Sequence, residues 1–170
     1  MSTPPLDDEF DALDLPEPLR EAIRARGLTS PTLVQSRVAD PAHADKDLLV
    51  SAQTGSGKTL AFGFLIARDI LPLPERTKHG AAQPLALVLA PTRELAVQVQ
   101  KELEWLFQRA RGVRVLSATG GTNAREEMVR LKSGCEILVA TPGRLCDHLK
   151  RKYVTLGSAR VVVLDEGDEM

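Results

Sequence analysis

Five short apolar runs punctuate the chain: Asp47–Ala52, Leu85–Ala90, Val113–Ala118, Glu136–Ala140 and Arg160–Leu164, all rich in Val, Leu and Ile. Near-continuous apolar runs of this length predict strands covered on both faces, as in a parallel sheet. The stretches between them change period. Thr92–Arg109 places Leu95, Val99, Leu103 and Leu106 on one helical face, with Pro91-Thr92 as a start signal. Lys58–Leu71, Asn123–Lys132 and Gly143–Lys152 read as further crossover helices. The region Leu73–Gln83, with Pro72, Pro74, Gly80 and Pro84 in or beside it, reads as an exposed loop. No internal repeat or low-complexity tract interrupts the order. Alternation of strand and helix predicts a doubly wound, mainly parallel α/β sheet.

The strand exits sharpen this picture. They read Gln53-Thr54-Gly55, Pro91-Thr92-Arg93, Thr119-Gly120-Gly121, Thr141-Pro142-Gly143-Arg144 and Asp165-Glu166. Ligands of open α/β sheets sit beyond the carboxyl ends of the strands. Small, polar or charged residues at every exit are what a shared ligand face requires.

Composition narrows the classes. With 170 residues and 43% hydrophobic content there is chain enough for one packed domain and too little for two. A net charge of −1 offers no global attraction for polyanions, so any nucleic acid must be met by local groups. Cys135 and Cys146 show neither CxxC spacing nor a histidine cluster and read as reduced thiols. The acidic N-terminus lacks the apolar core of a signal peptide. The longest apolar run, Leu85–Ala90, is too short to span a bilayer, so a cytoplasmic protein without a membrane partner is expected.

Two motifs carry chemistry. Ala52-Gln53-Thr54-Gly55-Ser56-Gly57-Lys58-Thr59 joins an apolar run to a helical pattern, with Ala52 where the general phosphate-loop pattern has glycine. Gly55 and Gly57 permit backbone angles that other residues resist, so successive N–H groups can form an anion nest at the helix start. Lys58 would reach the β- and γ-phosphates, and the Thr59 hydroxyl would ligate Mg²⁺. An ordinary Gly-rich turn is the plainer explanation, and Gly-Lys-Thr at this place weighs against it. Asp165-Glu166 leaves the run Val161–Leu164. A carboxylate at a strand tip, Asp165, can hold Mg²⁺ through water, and Glu166 can orient or deprotonate an attacking water.

The chain resembles the DEAD-box family of ATP-dependent RNA helicases from Phe10 to its last residue. Phe10 with Gly27–Gln35 resembles the Q motif, Ala52–Thr59 motif I, Pro91–Ala96 motif Ia, and Gly120-Gly121 the glycine pair. Thr141–Arg144 resembles motif Ib, and Asp165–Asp168 the DEAD sequence. The resemblance implies a P-loop NTPase domain of RecA-like type, incomplete at the C-terminus, with ATP and Mg²⁺ as cofactors. It implies an ATP site of Phe10, Leu28, Gln35 and Ala52–Thr59 (Ala52, Gln53, Thr54, Gly55, Ser56, Gly57, Lys58, Thr59), with Gln35 reading the adenine edge. Thr92, Arg93, Gly120, Gly121, Thr141, Gly143 and Arg144 would hold the backbone of single-stranded RNA, without sequence preference. Asp165, Glu166 and Lys58 would be catalytic, with Mg²⁺ held largely through water by Thr59 and Asp165. Asp168 would contact motif III.

The implied organisation is a disordered tail at 1–9, a Q-motif region at 10–36 and a partial RecA-like domain at 37–170. Leu28 stands where the family often has an aromatic residue, and Gly167 replaces the alanine of DEAD, adding flexibility. Ser117-Ala118-Thr119 spells motif III but precedes the acidic motif, and reads as a strand end. Lys150-Arg151-Lys152 reads as a solvated helix C-terminus. His43, His79, His148 and Trp105 read as surface or packing residues. A related DNA translocase is opposed by the Q motif and Pro91–Leu95; a clamping module without turnover is opposed by intact Lys58, Asp165 and Glu166. In the implied fold a strand following the acidic motif sits between the P-loop strand and the acidic strand. Residues 1–170 alone are therefore expected to lack RNA-stimulated hydrolysis.

Overall fold

A computed structural model describes residues 9–53, 55–74, 81–121 and 124–170. Four strands, β1 (Ala86–Leu89), β2 (Val115–Ala118), β3 (Ile137–Ala140) and β4 (Val161–Leu164), form one sheet in the order β2-β3-β1-β4. All three pairings are parallel and in register, Val88 lying between Val139 and Val163. The doubly wound parallel α/β fold expected from the sequence is present.

Six α-helices accompany the strands among the described residues: α1 (Glu17–Ala25), α2 (Leu33–Val38), α3 (Lys58–Ile70), α4 (Arg93–Leu106), α5 (Ala124–Lys132) and α6 (Pro142–Lys150). Strand order and handedness dictate where three of them go. The β1-to-β2 connection runs across the sheet in one direction, whereas β2-to-β3 and β3-to-β4 run back. Right-handed crossovers then put α4 on one face and α5 and α6 on the other. The core divides accordingly. Val88, Ile137 and Val139 pack with Leu19, Ile23, Ile66, Leu103 and Leu106; Leu87, Leu138 and Ala140 pack with Leu131, Leu145 and Val154. Alternate strand residues feed alternate cores, which is why the strands read as continuous apolar runs.

Four of the five expected strands are present, slightly trimmed; the fifth is corrected. Residues 47–52 form no strand, although their sequence resembles the others. Leu49 is fully exposed and Val50 is 40% exposed. A strand is held by its neighbours more than by its own propensity. Here β3 and β4 occupy both sides of β1, and the outer edge of β4 pairs with nothing among the described residues. Val162 and Leu164 of β4 accordingly stay exposed on the face opposite α3.

Helices α1 and α2 lie where no helix was read. Pro16-Glu17-Pro18 starts α1, and Leu19, Ala22 and Ile23 form its buried stripe. Thr32 caps α2 in a capping box with Gln35. The expected helix start at Asn123 lies outside the described residues, as do residues 1–8 of the expected tail at 1–9, whose last residue, Glu9, opens a 3-10 turn, and residues 75–80 of the expected loop. Ser117 and Ala118 end β2, in keeping with a strand-end reading of Ser117-Ala118-Thr119.

Candidate functional site

The phosphate-loop residues turn into α3 through Gly57, its N-cap, at φ 85°. A Cβ at Gly57 would lie 2.3 Å from Gln35 Nε2, so both angle and space demand glycine. Gln35 is buried, and both ends of its amide are engaged: Nε2 donates to the Gly57 carbonyl at 3.3 Å, and Oε1 accepts from the Thr32 N–H at 3.0 Å. Thr32 Oγ1 in turn donates to the Ser56 carbonyl at 2.8 Å. Thus α2 is bolted to the loop by a chain of three hydrogen bonds. Ser56 N–H donates to the Gln53 carbonyl, tightening the turn, while Ser56 Oγ is buried without a partner among the described residues. Ala52 is half-buried, Gln53 and Gly55 are exposed, and Thr54 lies outside the described residues. Lys58 and Thr59 open α3, both half-buried.

The acidic motif meets this loop across the sheet. Asp165 N–H donates to the Leu89 carbonyl at 2.9 Å, extending the β1–β4 ladder by one bond. The chain then turns at Glu166, a left-handed residue (φ 51°, ψ 49°), and enters a 3-10 turn over Gly167–Glu169 that carries exposed Asp168. That turn points Glu166 at the loop: Lys58 Nζ donates to its Oε1 at 2.8 Å. This hydrogen bond raises the Lys58 ammonium above its ordinary range; burial opposes it, and the charges of Glu166, Asp165 and Asp168 reinforce it. Burial, then the Glu166 charge, pushes the Asp165 carboxyl up, with Lys58 only partly compensating. A crowded, half-desolvated carboxylate pair beside one lysine is a site that added positive charge would relieve. Among the described residues no three His, Cys, Asp or Glu side chains converge on a metal position. Mg²⁺ needs no such cage, since it keeps waters and takes one or two carboxylates plus substrate phosphates. The residues therefore fit it.

Three further exits converge at the same end of the sheet. Thr92 caps α4 through Leu95 N–H, and Arg93 follows, exposed. Gly121, at φ 68°, lies under Arg93: a Cβ there would sit 2.3 Å from Arg93 Nη1. Thr141 N–H donates to the Ala118 carbonyl at 3.1 Å, and Thr141 Oγ1 reaches the Thr119 carbonyl at 3.4 Å. Arg144 Nε donates to Glu127 Oε2, and Glu127 Oε1 accepts from the Thr119 N–H at 3.1 Å. Gly120 and Gly143 have open space where a Cβ would lie. Backbone, small residues and two arginines thus share one surface.

The DEAD/DEAH box helicase family profile matches residues 32–170. The chain belongs to this family. It is 43% identical over 95% of its length to the DEAD-box ATP-dependent RNA helicase CshA of Streptococcus pneumoniae, covering 29% of that protein. It is 39% identical over 92% of its length to the human protein named probable ATP-dependent RNA helicase DDX23, covering 19% of it. Among solved structures, the RNA-helicase Prp28 from Chaetomium thermophilum, bound to ADP, superposes with a TM-score of 0.81 at 37% identity. That match covers 92% of this chain and 37% of Prp28. The chain spans less than a third of the curated relatives just named, and its sheet is the RecA-like sheet of the helicase family.

Seen as a DEAD/DEAH box chain, two expected nucleotide contacts stand differently from the rest. Phe10 is buried in the core, its ring edge-on to Phe64 at 6.4 Å, and the adjacent Glu9 N–H donates to the Thr29 carbonyl. That backbone bond ties the start of this segment to the 27–35 stretch. Leu28 is 36% exposed. A cleft of about 590 Å³ opens between α2 and residues 48–52, walled by Leu33, Val38, Leu48 and Ala52 beside the loop.

Sequence reasoning gives no individual site role to Thr32, Glu127 or His148. The spacing Thr32-x-x-Gln35 is itself a capping-box signature and could have revealed Thr32. Glu127 had no signal, because its partners lie in other elements. His148 is a packing residue as read, but it also hydrogen-bonds Glu127 at 2.9 Å. Trp105 packs on the main core and carries the Arg26 guanidinium 4.1 Å over its ring. No described helix is long and apolar enough to cross a membrane.

Proposed function

We propose that this chain is the nucleotide-binding and part of the RNA-gripping machinery of an ATP-dependent RNA helicase, which couples ATP hydrolysis to local remodelling of RNA. The observation that carries the reading is the 2.8 Å contact between Lys58 and Glu166, which joins phosphate loop and acidic motif at the sheet end shared by the Arg93, Gly121 and Arg144 loops. Names of relatives at 39–43% identity support RNA as the polymer.

In this reading the N–H groups of the loop around Gly55 and Gly57 cradle the phosphates, and Lys58 exchanges Glu166 for a phosphate oxygen. Thr59 and Asp165 would hold Mg²⁺, largely through water, and the ion would supply positive charge against the phosphates. Glu166, released from Lys58, accepts the proton of the attacking water. Gln35 offers its amide to the adenine edge, exchanging an internal partner to do so. Ala52, Gln53, Thr54 and Ser56 line the cradle, with Phe10 and Leu28 on the base side; Asp168 contacts motif III. Thr92, Arg93, Gly120, Gly121, Thr141, Gly143 and Arg144 grip sugar and phosphate, so binding is independent of base sequence. The organisation into 10–36 and 37–170, and a cytoplasmic place of action, belong to the same proposal.

The test is phosphate release from ATP by the full-length protein with RNA, with DNA and without polymer. Stimulation by RNA alone supports the reading. Equal stimulation by DNA would favour a DNA translocase, and nucleotide binding without turnover a clamp.

A further inference from the structure

Glu127 is a carboxylate turned inward on α5, only 5% exposed, between exposed neighbours Glu126 and Val129. Three partners on two other segments converge on it. Oε1 accepts from the Thr119 N–H, in the turn that leads from β2 to Gly120-Gly121. Oε2 accepts from Arg144 Nε and lies 2.9 Å from His148 Nε2. Arg144 and His148 stand four residues apart on α6, hence on one helical face. His148 is 3% exposed, its Nδ1 has no partner among the described residues, and Nε2 is the ring nitrogen that ties it to the carboxylate. The cluster is a Glu127–Arg144 ion pair braced by the buried His148 ring.

The atom by which Arg144 is held matters. Among the described residues, Nε is its sole nitrogen with a protein partner. A guanidinium gripped through Nε keeps its two-Nη edge in a fixed plane, the edge that pairs bidentately with a phosphate. The same carboxylate ties down the backbone of the Thr119–Gly121 turn, whose Gly121 lies beside Arg93. One buried group thus sets the relative placement of two surface elements.

We propose that Glu127, buttressed by His148, is a positioning residue for RNA: it aligns the Arg144 guanidinium and the Thr119–Gly121 turn to the same stretch of sugar-phosphate backbone. This rests on the RNA reading above. Glu127 touches no RNA itself. Its removal frees Arg144 to sample other rotamers and leaves the Thr119 N–H without its acceptor, so contacts are lost through misplacement.

The test measures affinity for a labelled oligouridylate, together with the Michaelis constant for ATP, in full-length Glu127→Ala, Glu127→Gln, Arg144→Ala and the Glu127→Ala/Arg144→Ala double variant. Glu127→Ala is expected to weaken RNA binding roughly tenfold, a loss of the order of one oriented charged contact, with the ATP constant unchanged. Glu127→Gln keeps the volume and two of the three hydrogen bonds, and should recover most of the affinity. In the Arg144→Ala background, Glu127→Ala should cost less than about twofold, because the two act through one contact. Wild-type RNA affinity in both Glu127 variants, with Arg144→Ala weakened, overturns the positioning role and leaves the RNA reading standing. Parallel loss of ATP and RNA binding with a lowered melting temperature also overturns it, marking Glu127 as structural only. Wild-type affinity in Arg144→Ala removes Arg144 from the RNA site, and the proposal falls with it.

Discussion

The ammonium of Lys58 and the carboxylate of Glu166, 108 residues apart in sequence, meet at 2.8 Å, and each is the other's charged hydrogen-bond partner. In this arrangement the cation expected to bind phosphate is already paired, and so is the expected base. In the proposed mechanism, nucleotide entry exchanges one anion for another at Lys58 Nζ. The exchange has a useful consequence, because it frees Glu166 only when phosphate is present.

The Glu166→Gln variant tests this exchange. Glutamine is a neutral competitor for Lys58 and cannot take a proton from water. ATP affinity should hold or tighten slightly, while hydrolysis falls by roughly 10²–10⁴-fold, the usual loss of a general base. Equilibrium binding and single-turnover hydrolysis separate the two effects. Parental hydrolysis in the variant would remove Glu166 from the mechanism. By contrast, Lys58→Ala should lower affinity and turnover together.

Gln35→Ala removes the bond to the Gly57 carbonyl as well as the amide offered to adenine. Affinity for ATP and GTP should both fall, by roughly five- to tenfold for one lost hydrogen bond, with ATP falling further. Titration of both nucleotides reads the two roles separately. A fall with an unchanged ATP-to-GTP ratio would mean that Gln35 only braces the loop.

Gly121→Ala places a methyl group where Arg93 Nη1 now lies and keeps a left-handed backbone angle. The arginine can swing aside, so the stability cost is mainly conformational, on the order of 1 kcal/mol. RNA affinity should drop while ATP affinity holds. An RNA dissociation constant equal to wild type would show that Arg93 and Gly121 do not act together.

Glu127 carries a pH signature. Burial is the largest single influence on its carboxyl and pushes it up, but hydrogen bonds and charge from His148 and Arg144 together hold it below its ordinary range. A carboxyl depressed in the folded state contributes stability that is full above its unfolded value and is lost as pH falls through the folded one. The melting-temperature deficit of Glu127→Ala should therefore be largest near neutrality and shrink below about pH 4. A deficit that is constant from pH 7 to pH 3 would show that the ion pair adds nothing.

Much of this was readable in the residue order, for a physical reason in each case. Val88 and Val139 belong to runs that are apolar because helices cover both faces, so β1 and β3 declare themselves locally. Gly57-Lys58-Thr59 declares a helix start, because only glycine fits against Gln35 at that angle. The family resemblance likewise rests on motifs contiguous in sequence, and the matching profile bears it out. What only the tertiary structure decided is whatever depends on a partner distant in the chain. Residues 47–52 have the composition of a strand and are none, because a strand is held by pairing and no strand of the sheet pairs with them. Glu127 looks like a solvated helix residue until β2 and α6 bring Thr119, Arg144 and His148 to it. Hydrophobic period and backbone-angle demand are local properties that single residues express; the pairing of one buried charge with another is a property of their positions in space.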